Sequence, residues 1–464
     1  MSTYGVVALA RPTFDVEFAE ENKNRAFAAL DAAGIATVGP RELLFDGPAV
    51  VAAAQAIQSA ARIDLLLIIQ VTFTDASMTV HLARDIEAPV ALWGLPEPRA
   101  GGRLRLNAYC GINLAAHALG KAEVDYGWLY LSADAAGIEQ RLRDLLQPLP
   151  PRDSRISRPG AATDPAAQRV MRALAGSRIG VVGRHPDGFD TCAYDGPALR
   201  RLAGVEVESV ELETLFARAK AADDDRVAAV RARAQRDLAG LGAVDQAQLD
   251  RSLRIYCALQ DVQADTGASS LAVRCWPETF TDYGCAACGP MAMMNEAGVP
   301  CACEADVYGS LSTLMMQELA QAPVWMADLV DIDAGDDTAV FWHCGLAPLS
   351  MCDPEAQPQA TIHTNRKMPL LHQFPLKPGR VTLARLSQAK NVTKLIIGGA
   401  EMLRAPMAFT GTSGTLRFDR PAAAVCATIM DEGVEHHYAI AYGDYRESLR
   451  ALAAQMEVPV LELT

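Results

Sequence analysis

The chain has 464 residues, half of them apolar and 21% charged, with a net charge of −14 and no basic cluster. This argues against nucleic acid and anionic membrane surfaces as partners, and the longest apolar runs are too short to span a bilayer. Eleven cysteines without a basic-then-apolar leader in "MSTYGVVALARPTFD" predict a reduced cytoplasmic protein rather than a disulfide framework, long enough for two or three domains.

In chain order, the strand "YGVVALA" is followed by the helical "EENKNRAFAALDAAG", a short apolar run "ATVGP", the helical "AVVAAAQAIQSAARI", and the strands "DLLLIIQV" and "PVALWGLPEP". Apolar strands without polar alternation, separated by helices, predict a parallel sheet covered on both faces. Residues 148–165, "PLPPRDSRISRPGAATDP", turn to Pro, Arg and Ser and read as a linker. A second unit opens with "SRIGVVGRHPDGFD" and "VEVESVEL". Its alternation continues through charged helical segments over 214–241, a helix through "LRIYCALQDVQA" and the strand "SSLAVRCW". The helix "GPMAMMNEAG", the strand "VPCACEADV", an amphipathic helix over 309–321 and the strand "VWMADLVDID" complete it. Beyond about residue 334, "TAVFWHCG", "GRVTLARLS", "VTKLIIGGAEML", "GTLRFD" and "AAAVCATIM" read as short strands of an antiparallel domain. The helix "YRESLRALAAQM" and the strand "PVLEL" close the chain. The predicted fold is α/β: two Rossmann-like parallel-sheet domains, 1–150 and 176–334, joined by a linker over 151–175 and followed by a β-rich C-terminal domain over 335–464.

The loop "GVVGRHPDG" lacks G-x-G-x-x-G spacing and reads as a βα turn rather than a phosphate cradle. Five cysteines from Cys275 to Cys303 are either buried thiols or, as Cys285-x-x-Cys288 with Cys301-x-Cys303, a zinc site. Among eight histidines, His343 ends the strand "TAVFWHCG", while His436 and His437 open another. Strand alternation points the pair to opposite faces, so only one of them should enter a given pocket. Glu304 ends one predicted strand and Asp328 lies in the next, one βα unit further on. Equivalent ends of neighbouring parallel strands lie side by side, which lets these carboxylates converge. Two carboxylates and an imidazole suit a hard or borderline divalent ion, Mn²⁺, Mg²⁺ or Co²⁺. The competing reading has the acids capping the following helices, a role that fits Asp306.

The same residues carry a resemblance. "CEADVYGSL", the "ADL" of Asp328, "WHCG" and "HHYAIAYGD" resemble the L-fucose/L-arabinose isomerase family. "QVTFTDA", "WGLPEPRAGGRLRLNAYCG" and "RCWP" are similar to segments of its fucose isomerase-like branch. The resemblance implies two α/β domains before a β-rich one, a bound divalent metal, commonly Mn²⁺, and aldose–ketose isomerisation of a small free sugar. It also implies a homo-oligomer in which the N-terminal domain completes a neighbour's pocket. Carried over residue by residue, it makes Glu304, Asp328 and His437 the metal ligands. Glu304 and Asp328 then also exchange a proton through a cis-enediol, one as base and the other as acid.

His343 resembles a histidine that arabinose isomerases add to the metal shell, and His436 is a candidate contact of metal or substrate. Arg274, beside "CWP", is either the receptor of an anionic group on a modified sugar or an ion-pair partner. Trp93, with "QVTFTDA", faces another subunit's site by analogy, or else lies in the core. The sugar implied is fucose- or arabinose-like, or one with an acidic group. The same enediolate site would serve an epimerase, lyase or decarboxylase on a sugar or sugar acid, which product mass would distinguish. A sugar-binding protein without catalysis would not need the two carboxylates.

Overall fold

Leu65–Gln70, with the sequence LLLIIQ, is buried along its whole length. In the computed structural model, which describes residues 2–60, 62–149, 154–160 and 163–464, it lies inside a parallel sheet. The order is Thr37–Val38, Tyr4–Leu9, Leu65–Gln70, Val90–Gly94, Tyr126–Tyr130, with Leu43–Leu44 also paired to Tyr4–Leu9. Helices Val16–Ala32 and Ile138–Leu145 cover one face through Phe27, Leu30 and Leu142. Gly47–Ala60 and Ala108–Lys121 cover the other through Ile57 and Ile112. Coverage of both faces is why the strand needs no polar alternation.

A second parallel sheet is ordered Cys301–Ala302, Ser270–Val273, Arg178–Val182, Glu206–Val210. The third is mixed and has ten strands. Within it, Thr412–Phe418, Thr338–His343, Trp325–Asp333, His437–Tyr442, Gly379–Ser387 and Lys394–Leu403 pair antiparallel in that order. The last also pairs with the first, which closes these strands into a barrel and leaves them no free edge.

Three expectations change. Trp325–Asp333 does not continue the second parallel sheet; it runs antiparallel between Thr338–His343 and His437–Tyr442. An unbroken apolar run reads alike in a parallel sheet and in a barrel wall. "AAAVCATIM" is not a strand but the core of helix Ala422–Glu432, stopped by left-handed Gly433. Its alanines favour helix, and the glycine is the usual residue for such a stop. Within the predicted linker, positions 151–153, 161 and 162 lie outside the described residues. Ile156–Ser157 adds an edge strand to the third sheet, and 165–174 is the helix Pro165–Leu174.

Helix Ala108–Lys121 ties the first sheet to the barrel. Asn113 Nδ2 donates to the Val434 carbonyl at 2.5 Å, and His117 Nδ1 to the Gly433 carbonyl at 2.8 Å. The turn so anchored leads directly into His436 and His437.

Candidate active site

Glu304 follows the short strand Cys301–Ala302, in a turn where its own φ is 59° and that of Ala305 is 52°. Left-handed backbone costs an ordinary residue about 1–2 kcal/mol, so the surrounding packing must hold this carboxylate in its position. Its Oε1 accepts the indole N–H of Trp276 at 3.0 Å. Its Oε2 accepts from His436 Nε2 at 3.2 Å and lies 3.7 Å from His437 Nε2. Burial alone would raise the Glu304 carboxyl, but the His436 hydrogen bond and the neighbouring His437 outweigh it and hold it below its ordinary value.

Asp328 and His437 are register partners on adjacent antiparallel barrel strands, with Asp328 Oδ1 3.1 Å from His437 Nε2. On its other side Asp328 pairs with Trp342, which brings the next residue, His343, to the same rim. Among the described residues His343 Nε2 is buried without a hydrogen-bond partner, and Asp328 Oδ1, also buried, meets His437 as an ion pair. Ligand atoms of Asp328, His343 and His437 all lie within 4.8 Å of one another. Burial pushes the His343 imidazole toward its neutral form.

Asp306 stands behind His437. Its Oδ1 accepts the Gly309 N–H at 2.8 Å, capping helix Val307–Ala320, and its Oδ2 accepts from His437 Nδ1 at 2.8 Å. A carboxylate on one imidazole nitrogen fixes the tautomer and aims the other nitrogen, here toward Glu304 and Asp328. Buried Arg385 donates to Asp306 Oδ2 at 2.6 Å and to the Thr191 carbonyl at 2.9 Å, with Glu435 3.6 Å from its Nε. Burial would raise the Asp306 carboxyl, but the Arg385 charge and His437 hold it far below the usual carboxylate range.

This donor set fits a divalent cation. Burial alone would keep His437 neutral, yet the carboxylates of Asp306 and Asp328 favour a positive charge there. A cation among His437 Nε2, Glu304 and Asp328 would supply that charge. Two carboxylates and an imidazole suit a hard or borderline metal.

Glu304, Asp328, His343 and His436 floor a cavity of about 90 Å³, with His437 behind them. Its roof includes Arg11 and Phe14, just past strand Tyr4–Leu9, and Phe73, just past Leu65–Gln70. Ligands of parallel sheets gather at such carboxyl ends. Arg366 enters from a turn in which His363 Nδ1 accepts the N–H of Asn365 and of Arg366, each at 3.2 Å. The guanidinium carbons of Arg11 and Arg366 lie over the Trp276 ring, 4.7 and 5.0 Å from its centroid.

Of the residues singled out in the sequence, Glu304, Asp328, His343, His436 and His437 come together. Glu304 and Asp328 converge from two different sheets, not from neighbouring strands of one. His436 and His437 both reach Glu304, with ring centroids 3.9 Å apart. The strand begins at His437, so His436 sits in the preceding turn and escapes strand alternation. Arg274 does not line the cavity; it pairs with Glu278 through two hydrogen bonds of 2.7 and 2.6 Å. Trp93 is fully buried and donates to the Leu131 carbonyl at 2.9 Å. Phe73, in "QVTFTDA", lines this chain's own cavity, because its strand ends at the same sheet edge as that of Arg11.

Cys285, Cys288, Cys301 and Cys303 form no metal-ligating cluster among the described residues. Arg11, Arg366, Trp276 and the Arg385–Asp306 support went unread in the sequence. Only Arg11 carried a local signal, an arginine just past the carboxyl end of the first parallel strand.

Known proteins resemble this chain over nearly its whole length. Residues 5–148 match the family model described as fucose/sulfoquinovose isomerase, N-terminal domain, and residues 343–464 match that of L-fucose isomerase, C-terminal domain. A sulfoquinovose isomerase of Alkalicoccus urumqiensis is 29% identical over 465 residues, covering 100% of both chains. One of Priestia aryabhattai is 29% identical over 97% of each, and one of Clostridium sp. (strain MSTE9) is 28% identical over 99% of each. The chain belongs to the fucose isomerase family and is an aldose–ketose isomerase.

Proposed function

We propose that the chain is a divalent-metal-dependent isomerase of an acidic aldose, with Glu304, Asp328 and His437 as metal ligands, His343 at the edge of the same shell, and Mn²⁺ as the ion. The observation that carries this reading is the aim of His437 Nε2: Asp306 holds the other ring nitrogen, and Nε2 lies 3.1 and 3.7 Å from oxygens of Asp328 and Glu304. The relatives act on sulfoquinovose by name, an aldose that carries a sulfonate, and they align with this chain over nearly its full length. That supports the same substrate here.

A divalent ion held by Glu304, Asp328 and His437 would supply Lewis acidity toward the sugar's carbonyl end. The side chains do the rest. Glu304 and Asp328 take the proton from C2 of the open-chain aldose and return it to C1 while the O2 hydroxyl proton passes to O1, so that a cis-enediol separates aldose from ketose and no atom is gained or lost. Trp276 and His436 hold Glu304 by both oxygens, which keeps its reach to the sugar constant. Phe14, Phe73 and Trp342 in the cavity wall keep bulk water from competing for that proton.

The test is conversion of sulfoquinovose by the Mn²⁺-supplied enzyme in deuterium oxide. A ketose with the substrate's carbon skeleton, carrying deuterium at C1, is expected. A product that has lost carbon, or epimerised aldose alone, would move the site to lyase, decarboxylase or epimerase chemistry.

A further inference from the structure

Arg11 and Arg366 are the two cations of the cavity that the isomerisation leaves without a task. Among the described residues neither guanidinium has a hydrogen bond or an ion pair with a carboxylate; each lies instead over the ring of Trp276, and Arg366 also over that of Phe280. Both are largely buried; burial weakens each guanidinium's hold on its proton, and the neighbouring charge of Arg366 weakens that of Arg11 further. Two like charges in a confined, mostly apolar space are costly unless an anion joins them.

The nearest carboxylates do not serve. Both oxygens of Glu304 are engaged by Trp276 and His436. Asp75 acts on Arg11 only through space, since its carboxylate accepts from the backbone and the hydroxyl of Ser77. Both cations are nonetheless held in position: Arg11 N donates to Thr72 Oγ1 at 2.8 Å, and the His363 turn fixes the backbone of Arg366. The indole of Trp276 spans the arrangement, with its N–H on Glu304 and its ring under the guanidiniums.

We infer that Arg11 and Arg366 form a subsite for the terminal sulfonate of the sugar, one indole ring away from the carboxylates that handle C1 and C2. The inference rests on reading the cavity as the site of an acidic-aldose isomerase. It assigns recognition of the acidic group to a pair of forked cations, whose planar donors match an oxyanion with several acceptor oxygens. Glu304 and Asp328 repel an anion at the reacting end, so the two cations also set which way round the sugar enters.

The experiment is calorimetric binding to the Mn²⁺-supplied enzyme of three unreactive probes: the alditol of sulfoquinovose, the matching 6-deoxy alditol, and glucitol 6-phosphate. The sulfonated alditol is expected to bind tightest of the three. Arg11→Gln and Arg366→Gln should each cut its advantage over the 6-deoxy alditol by about 10- to 100-fold, the range for a charge-assisted hydrogen bond. The 6-deoxy alditol itself should keep its affinity within about threefold, which also reports that the pocket is intact. Arg366→Lys, which keeps the charge and loses the fork, should fall between the parent and Arg366→Gln.

An advantage that survives both substitutions would overturn the inference, as would equal loss for the charged and neutral alditols. Tighter binding of the phosphate would overturn the assignment to sulfonate. An enzyme that isomerises no aldose yet keeps an arginine-dependent sulfonate preference would sink the proposed reaction and uphold the subsite.

Discussion

At and behind the floor of the cavity the charged groups are tied to one another: Arg385 to Asp306, Asp306 to His437, and His437 to both Asp328 and Glu304. At the roof, the guanidiniums of Arg11 and Arg366 lie over aromatic faces and, among the described residues, have no hydrogen bond or ion pair with a carboxylate. The floor is open toward a cation: among the described residues buried His343 Nε2 has no hydrogen-bond partner, and Asp328 Oδ1 meets His437 as an ion pair. Buried ionic networks of this kind set orientation more than stability. A roof with unmatched cations selects what enters. Substitutions in the floor should therefore lower turnover of every substrate, whereas those in the roof should change only which substrate is preferred.

The largest effect is expected at the floor. Glu304→Gln, Asp328→Asn and His437→Ala should each reduce kcat/KM by at least about 10³-fold, for sulfonated and neutral aldoses alike, the range for losing a metal ligand or acid–base group. Steady-state kinetics with metal in excess measures this, and full activity in all three variants would remove the site from the chemistry.

Next comes the support behind it. Asp306→Asn keeps the shape but weakens the hold on His437, and metal affinity should fall about 10- to 100-fold. The same change leaves Arg385 short of a partner, so the protein should also lose about 3–5 kcal/mol of stability, read by denaturant unfolding. Unchanged metal affinity would mean that His437 is aimed by packing alone.

The arginine substitutions rank third, because they alter discrimination without touching the reaction. Arg274→Gln should do least. It removes a partly exposed pair with Glu278, costs about 1 kcal/mol or less, and should leave kcat/KM for the sulfonated aldose within about twofold. A larger kinetic loss would return Arg274 to the substrate site.

What could be read from the sequence follows the same division between local and assembled features. Unbroken apolar strands announced the first parallel sheet, and motif order brought together Glu304, Asp328, His343 and His437. The sheet that carries Asp328 was misread because burial on both sides erases the difference between a parallel strand and a barrel strand. The orientation of His436 was misread because the strand starts one residue later than the apolar pattern suggested. Arg11 and Arg366 stand hundreds of residues apart, each in a polar, proline-containing segment. Nothing local separates Arg366 from a surface arginine, and Arg11 has only its place past the first parallel strand; the assembled cavity puts both over Trp276.

The most direct test of the account is the metal content of the freshly purified protein, paired with aldose-to-ketose conversion before chelation, after it, and after return of Mn²⁺. The account predicts about one divalent ion per chain, loss of conversion on chelation and its recovery with Mn²⁺, as a Lewis-acid role requires. Conversion that continues undiminished in fully metal-stripped protein would contradict it.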